Sequence, residues 1–448
     1  MQTSLTKGPV TRSLLRFAAP MIAGNLLQQV YNVADTLIVG RFLGPDALAA
    51  VGASYAVMVF LTSVVLGLCM GSGMLFSMQY GARDTAAMKH SMVLSFGFIG
   101  AAALLIEGLA LALIDPFLRL LQIPEDVFAL TRSYLFIIFI GTFFVFVYNY
   151  FAAVLRAAGN SAVPLVFLAV SAVLNIGLDL LFVVVIPLGV SGAALATILA
   201  QAVSGIGIAV YVFVKIPALR PRRSDFRFEK AVLGRIVQYS LLTCVQQSVM
   251  NLGILLVQGL VNSFGVTVMA AFAAAVKIDS FAYMPVQDFG NAFSFFIAQN
   301  KGAGEHARIR RGLRSAVVTA LVFCAVISAA VVGFARPLMG LFVQPEETEI
   351  LRIGVEYLRI EGSCYFGIGV LFLLYGLYRG IGRPGFSVVL TVISLGTRVA
   401  LAYLLAPIEA IGLPGIWWAV PIGWFLADAT GLIYYAFLQS KSKRGDWP

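Results

Sequence analysis

The sequence predicts an all-α integral membrane protein with twelve transmembrane helices, arranged as two six-helix lobes that a parallel internal repeat relates. Three observations lead to this fold class. Of the 448 residues, 60% are apolar and 12% are charged, against roughly a quarter charged in soluble domains. The apolar residues form runs long enough to cross a bilayer as helices, and the chain repeats itself at about half of its length. A soluble globular protein is therefore excluded.

Apolar stretches bounded by Gly, Pro or charged residues define the spans. These runs are longer than barrel strands need, and a helix satisfies its own backbone groups in lipid. The first run is also too long and too polar on one side for a cleavable signal sequence. In the first half of the chain we expect spans near 12–40, 46–78, 90–115, 128–155, 161–186 and 190–214.

The second half contains six further runs of the same kind. We expect these spans near 234–262, 267–299, 313–334, 350–378, 385–406 and 413–438. The corresponding lobes are residues 1–215 and 234–448, and a basic linker, residues 216–233, joins them.

An internal repeat relates the two halves at an offset of about 220–223 positions. The segment "NYFAAVLRAAGN" resembles "LLYGLYRGIGR", and "MQYGARD" resembles "AQNKGAG" at the ends of corresponding spans. Because each half has an even number of spans, both halves cross the bilayer in the same sense. Parallel repeats of this kind are typical of a class of secondary transporters, although channels and enzymes can also contain repeats. The matched positions are Arg156 with Arg379, Gly159 with Gly382, Gly189 with Gly412, Gly192 with Gly415, and Gln79 with Gln299.

Basic residues indicate the orientation of the chain. The formal net charge is +10, and most Lys and Arg residues lie in connectors that share one side when the N-terminus is cytoplasmic. This agrees with the positive-inside rule. We therefore expect a multi-pass protein of the bacterial cytoplasmic membrane with both termini in the cytoplasm, and no binding of nucleic acid. The four Cys lie within apolar runs, where a thiol behaves as a small hydrophobe.

Polar side chains within the first-half spans suggest a cation site. Asp35 lies on the first span, and Asn175 and Asp179 lie one helical turn apart on the fifth. An ionised side chain at membrane depth is costly, so it usually faces the bundle interior and often serves an ion pathway. Each acid could instead be satisfied by neighbouring Asn, Thr or Tyr groups. Other polar residues of these spans include Gln28 and Asn32 on the first, and Thr197 and Gln201 on the sixth.

Polar residues of the second half could form the opposing wall of a substrate cleft. These are Gln247 and Asn251 on the seventh span, and Tyr283, Gln287 and Asn291 on the eighth.

A basic side chain, that of Arg398, also lies within the second-half spans. Arg398 occupies the repeat position of Asn175 and needs an acidic partner, because an unpaired charge in lipid is costly. Asp428 and Glu361 are the candidates, and the sequence does not rank them. Lys277 and Asp279 could also compensate each other, although they do not share a helix face.

The sequence lacks the usual motifs for catalysis, ATP binding and metal binding. The only two histidines, His90 at the boundary of the third span and His306, fall in predicted cytoplasmic connectors, and there is no phosphate-binding loop for ATP and no Cys or His cluster with metal-ligand spacing. We therefore expect no enzyme activity and no cofactor. Uphill transport would then be driven by an ion gradient.

Five segments resemble those of multidrug and toxic compound extrusion (MATE) transporters, and the likeness extends over essentially the whole chain. The resemblance implies twelve helices in two lobes around a central cleft. It also implies export of organic, often cationic and lipophilic compounds in exchange for protons or sodium. The lipid bilayer would surround the protein. The segments are "VADTLIVGRFLGPDALAAVG", "GSGMLFSMQYGARD", "LRAAGN", "AAFAAAVKIDSFAYMP" and "FIAQNKGAG".

Within that family the first half resembles the DinF-like branch, in which an Asp on the first helix and an Asn-x-x-x-Asp on the fifth take part in cation coupling. Asp35, Asn175 and Asp179 match those positions. An Asn that some members have on the fourth helix is Ala152 here, which places the details of any sodium coordination in doubt. The resemblance further implies surrounding polar groups at Tyr31, Tyr134, Asn149 and Thr197, and a bend of the first helix at Pro20.

The sodium-coupled NorM-like branch has acids on its seventh and tenth helices. Here the seventh span has no acid and Glu361 lies near the outer start of the tenth, so we expect coupling in the first lobe. The resulting prediction is a monomeric secondary exporter that exchanges small organic compounds for protons by alternating access. The alternatives are sodium coupling, a flippase for a lipid-linked oligosaccharide and, less favoured, an intramembrane transferase.

Overall fold

Helices make up nearly all of the ordered secondary structure. The computed structural model of the chain describes residues 5–120, 123–408 and 410–441, and within these ranges there is no β-strand. The all-α fold class predicted from the sequence is thereby confirmed.

The first half of the chain forms eight helices. The fifth-span helix α7 continues into a wider π-type turn, Leu180–Val185. Two short 3₁₀ turns, Pro217–Leu219 and Arg223–Phe226, lie in the linker after α8. The helices are α1 Val10–Leu43, α2 Pro45–Gly81, α3 Thr85–Ala112, α4 Ile114–Leu120, α5 Glu125–Ile140, α6 Thr142–Ala157, α7 Ala162–Asp179 and α8 Val190–Lys215.

The second half also forms eight helices, in the same order of long and short elements. They are α9 Lys230–Asn262, α10 Val266–Gly302, α11 His306–Gly333, α12 Ala335–Met339, α13 Thr348–Ser363, α14 Tyr365–Gly380, α15 Pro384–Leu405 and α16 Gly412–Lys441.

Length and composition identify the helices that could span a membrane. Among the described residues, nine helices are long and apolar enough to span a membrane by themselves. Two bent pairs, α5 with α6 at 43° and α13 with α14 at 52°, raise that number to eleven. Helix α1 has 34 residues, but its polar residues keep it out of this set. The described residues therefore give nine to eleven candidate spans, against the twelve predicted from the sequence.

The internal repeat is visible in the backbone. The bends between the paired helices fall at Gly141 and Cys364, which lie 223 positions apart. Gly159 and Gly189 adopt positive φ angles of 79° and 63°, and their repeat partners Gly382 and Gly412 adopt 81° and 53°. Positive φ is a conformation that side chains with a Cβ rarely adopt, so these positions require glycine in both halves.

The chain separates into two compact units, each containing the greater part of one half. One unit comprises residues 19–244, and the other comprises residues 5–18 together with 245–441. Both α1 and α9 therefore contribute residues to each unit, whereas the limits predicted from sequence follow the linker. Helix α1 passes from one unit to the other just before Pro20, and it continues through this proline without ending.

Hydrogen bonds explain why the N-terminal residues belong to the second unit. Arg308 on α11 donates from Nε, Nη2 and Nη1 to the carbonyl oxygens of Leu5, Lys7 and Gly8, at 3.0, 2.8 and 2.6 Å. Asn300 adds a bond from Nδ2 to the Leu5 carbonyl at 3.1 Å. These four bonds fix the segment that precedes α1 against α10 and α11.

Glycines allow close helix packing in each unit. A Cβ at Gly67 on α2 would lie 2.6 Å from the Cα of Cys244 on α9. A Cβ at Gly290 on α10 would lie 2.7 Å from the carbonyl oxygen of Phe372 on α14. Gly67 and Gly290 are also 223 positions apart, so corresponding positions of the two halves both make a close backbone approach.

Candidate cation site

The first-half candidate site is built on the end of α7. Asn175 and Asp179 lie one turn apart on the same face, with exposed fractions of 3% and 0%. The π-type turn begins directly after Asp179, and such local widenings are frequent at functional sites. Asn175 and Asp179 are therefore buried on one face of the helix, as the spacing predicted.

Asp35 on α1 lies next to Asp179. The two carboxyl groups are close enough to hydrogen-bond to each other, and within the described residues no donor reaches either oxygen of Asp179 or Oδ1 of Asp35. Two adjacent carboxylates cannot comfortably both be ionised, so such a pair shares a proton or binds a cation. The expected proximity of Asp35 and Asp179 is present in the structure.

Two tyrosines accompany the acid pair. Tyr134 on α5, 1% exposed, interacts electrostatically with Asp35, Asp179 and Tyr31. Tyr31 lies one turn before Asp35 on α1 and hydrogen-bonds to Gln28. The structure thus brings both tyrosines implied by the resemblance to the two acids, and it adds Gln28 as a partner of Tyr31.

The remaining first-half residues differ in their hydrogen-bond partners. Nδ2 of Asn175 donates to Oγ1 of Thr197 on α8 at 3.4 Å, and Thr197 donates to the Ala193 carbonyl at 3.1 Å. Oδ1 of Asn175 is buried and has no hydrogen-bond partner among the described residues. Nδ2 of Asn149 instead bonds to the Val145 carbonyl of its own helix at 2.9 Å.

The second unit contains a polar cluster that was not predicted from the sequence. Oη of Tyr365 donates to Asp279 at 2.7 Å, and Oη of Tyr357 lies 3.5 Å from the other oxygen of the same carboxyl group. Glu361 hydrogen-bonds to Asp279, and Arg398 interacts electrostatically with both acids. Arg398 therefore has Glu361 and Asp279 as partners, and the described neighbours of Asp279 do not include Lys277.

A signal for this cluster was present in the repeat. Tyr357 lies 223 positions after Tyr134, and Arg398 lies 223 positions after Asn175. Comparing every polar residue at that offset, rather than the acids alone, would have indicated a second polar site.

The expected cleft residues lie on four helices. Gln28 and Asn32 are on α1, Gln201 is on α8, Gln247 and Asn251 are on α9, and Tyr283, Gln287 and Asn291 are on α10. Two of them have defined partners in the second unit. Tyr283 hydrogen-bonds to Ser280, and Oδ1 of Asn291 accepts a bond from Nη2 of Arg379 at 2.8 Å. Their convergence on one cleft stays a prediction.

Comparison with known proteins identifies the family. The model of the MatE family matches residues 20–181 and again residues 243–404. The chain belongs to the MatE family. The second match begins and ends 223 positions after the first, which confirms the predicted repeat. The protein is therefore a membrane transporter rather than an enzyme.

Relatives and solved structures agree with this assignment. The chain is 30% identical over 450 residues to the probable multidrug resistance protein YpnP of Bacillus subtilis, covering 98% of both chains. It is 25% identical over 425 residues to the probable multidrug resistance protein NorM of Thermotoga maritima, covering 91% of this chain and 88% of the relative. It is similar in fold to a MOP superfamily transporter from Pyrococcus furiosus, with a TM-score of 0.92, 24% identity and 99% of each chain covered.

Proposed function

We propose that this MatE protein exports organic, often cationic and lipophilic compounds from the cell in exchange for protons, by alternating access. Names of relatives support the export of drugs, since YpnP and NorM are called probable multidrug resistance proteins. The observation that carries the proposal is the carboxyl pair formed by Asp179, which is buried, and Asp35, which is partly buried. Its described neighbours include tyrosines but no Lys or Arg, so its charge must be compensated by a bound cation.

The geometry of the pair favours a proton over sodium. Carboxyl groups as close as those of Asp35 and Asp179 can hydrogen-bond to each other only by sharing a proton. A sodium ion would need further oxygen ligands, of which Asn175 and Thr197 offer two, while Ala152 offers none. We therefore assign the first lobe a DinF-like coupling site, with Tyr31 and Tyr134 as its polar surroundings. Asn149 is a weaker candidate for this site than the two tyrosines, because its side chain hydrogen-bonds to its own helix.

The cycle follows from competition between proton and substrate. Proton entry from outside at Asp35 and Asp179 releases the substrate outward, and proton exit to the cytoplasm resets the lobe. Pro20 lacks the amide proton that would continue the backbone ladder of α1, and it lies beside the residue where α1 changes units. We propose that the first helix bends there when the acids change protonation.

The orientation is part of the same proposal. Nζ of Lys89 near the start of α3 lies 3.5 Å from Asp225 in the linker, and Nδ1 of His90 lies 3.0 Å from the Asp225 carbonyl oxygen. The connector before α3 and the linker therefore share one side of the membrane. Since the linker is rich in basic residues, we place it, this connector and both termini in the cytoplasm, in a protein that acts as a monomer.

Proteoliposomes with separately imposed gradients test the function. A pH gradient alone should drive the movement of a lipophilic cation such as tetraphenylphosphonium, and a sodium gradient alone should not. Movement driven only by a sodium gradient would show that sodium, and not the proton, is the coupling ion. Movement of a lipid-linked oligosaccharide without movement of the organic cation would show that the protein is a lipid flippase and not a drug exporter.

A further inference from the structure

The polar cluster of the second unit consists of Asp279 on α10, Glu361 on α13, and Arg398 on α15. Asp279 and Glu361 are 5% and 1% exposed, and they hydrogen-bond to each other. Tyr357 and Tyr365 supply hydroxyl groups to Asp279. Oε1 of Glu361 and Nε of Arg398 are buried and have no hydrogen-bond partner in the described part of the chain.

The repeat relates this cluster to the first-lobe site. Tyr357 and Arg398 occupy the repeat positions of Tyr134 and Asn175, whereas the acids of the two sites come from positions that do not correspond. Each lobe thus assembles a carboxyl pair beside the tyrosine at the same repeat position, from different helices. A packing role alone gives no reason for an acid pair at this place in both halves.

The charge of the cluster differs from that of the first-lobe pair by one unit. With both acids ionised, Asp279, Glu361 and Arg398 carry a net charge of −1, and with one proton bound they are neutral. Because net charge at membrane depth is costly, the neutral form with a single proton is the favoured one. Arg398 already supplies the fixed positive charge, so the cluster has no need of a sodium ion.

Hydrogen bonding indicates which acid holds the proton. Asp279 accepts from Tyr365 and has Tyr357 nearby, and hydroxyl donors stabilise an ionised carboxylate. Glu361 lies against Asp279 and shares the Tyr357 hydroxyl with it, but one oxygen of Glu361 has no donor among the described residues. The titratable and charged groups that face the pair are Tyr283 on α10, Tyr357 on α13, Tyr365 on α14 and Arg398 on α15.

We propose that Glu361 and Asp279, with Arg398 as their internal counter-ion, form a second proton-exchange site that holds one proton on Glu361. The site is separate from Asp35 and Asp179, and its existence does not depend on which ion drives transport. It differs from the first-lobe pair in having a fixed positive charge, so it exchanges a proton and no metal cation.

Infrared difference spectroscopy of the purified full-length protein during a pH titration tests this site directly, because protonated carboxyl groups absorb apart from ionised ones. The background variant carries Asp35→Asn and Asp179→Asn, which removes the first-lobe acids and any signal from transport. The other acids cancel when this background is compared with the same background carrying Glu361→Gln, so the difference should show one protonated-carboxyl band that titrates with pH and belongs to Glu361.

Two further variants separate a proton site from a structural contact. Asp279→Asn leaves Glu361 facing Arg398 alone, so Glu361 ionises and the same band should disappear although Glu361 is still present. Arg398→Gln removes the counter-charge, so both acids bind protons and the band should grow, whereas Arg398→Lys should resemble the background. An unchanged band in either Glu361→Gln or Asp279→Asn would overturn the proposal, so a folding defect in one variant still leaves a test.

Discussion

Asp35 and Asp179 illustrate how a residue's neighbours decide its chemistry. In the second lobe Asp279 and Glu361 have Arg398 beside them, whereas the described neighbours of Asp35 and Asp179 are tyrosines and each other. The first-lobe pair can therefore be neutralised only by a cation from outside the protein. A carboxyl pair of that kind is suited to bind a coupling ion and release it again.

Asp179→Asn should abolish proton-driven export. The amide keeps the size of the side chain but cannot exchange a proton, so substrate movement into proteoliposomes under a pH gradient should fall to the level of protein-free liposomes. Asp126→Asn is the matched control, because Asp126 is an exposed acid at the start of α5, and it should transport like wild type. Wild-type transport by Asp179→Asn would remove this residue from the coupling mechanism.

Some of the site could be predicted from single residues and some could not. Asp35, Asn175 and Asp179 were found because a carboxylate within an apolar run is unusual and their spacing places them on one helix face. The contact between Asp279 and Tyr365 depends on the 52° bend before α14 and on packing between helices far apart in sequence. No local pattern encodes that arrangement.

At the scale of elements, glycine positions determine how closely helices approach. A Cβ at Gly290 would meet the Phe372 carbonyl oxygen at 2.7 Å, whereas a Cβ at Gly396 on α15 would meet nothing within 4 Å. A backbone carbonyl cannot move aside as a flexible side chain can. The α10–α14 contact therefore depends on the absence of a side chain at Gly290.

Gly290→Val should lower the thermal stability of the purified protein. Overpacking of this kind costs about 1–3 kcal/mol, and the backbone contact places the effect at the upper end. Gly396→Val, which adds the same side chain to a membrane helix with open space, should leave the unfolding temperature nearly unchanged. Equal unfolding temperatures for the two variants would contradict the assigned packing of α10 against α14.

The linker is held to α3 through Asp225, outside the membrane. The backbone N–H of Arg222 and, to a lesser degree, Lys89 stabilise its carboxylate and hold the pKa of Asp225 below its ordinary value. A lowered pKa means that this interaction contributes its full stability above the ordinary pKa. The contribution is lost as the pH falls through the lowered value.

Asp225→Asn should therefore loosen the linker at neutral pH. The protection factors for amide hydrogen exchange in peptides covering residues 216–229, measured by mass spectrometry, should fall in this variant at neutral pH, and the wild-type protection factors should approach the same values only in acid. Glu347→Gln, an exposed acid in the connector before α13, serves as the control and should exchange like wild type. Unchanged linker exchange in Asp225→Asn would refute the assigned contact.

For the whole molecule, composition and repeat were sufficient to predict the fold class. Apolar runs gave the positions of the spans, and the offset of about 223 positions reappears in the helix bends, the positive-φ glycines and the two family matches. The sequence did not indicate that residues 5–18 pack with the second half. That association rests on Arg308 and Asn300 binding backbone carbonyls, which have no signature in the sequence of the bound segment.

The proposed orientation of the chain in the membrane predicts whether each connector faces the cytoplasm or the outside. Native cysteines give little background, because Cys69, Cys324 and Cys364 are buried and Cys244 is partly buried. A cysteine at exposed Arg223 in the linker should react with an impermeant maleimide only in inside-out vesicles. A cysteine at exposed Glu347 should react only in intact cells. The opposite pattern would reverse the assigned topology.

The central claim is that Asp35 and Asp179 give up a proton when substrate binds. Proton release from purified protein in weakly buffered detergent, upon addition of a lipophilic cation, measures this step without any membrane or gradient. Wild type should release protons, and Asp35→Asn with Asp179→Asn should bind the cation without this release. Equal proton release by wild type and the double variant would contradict the account.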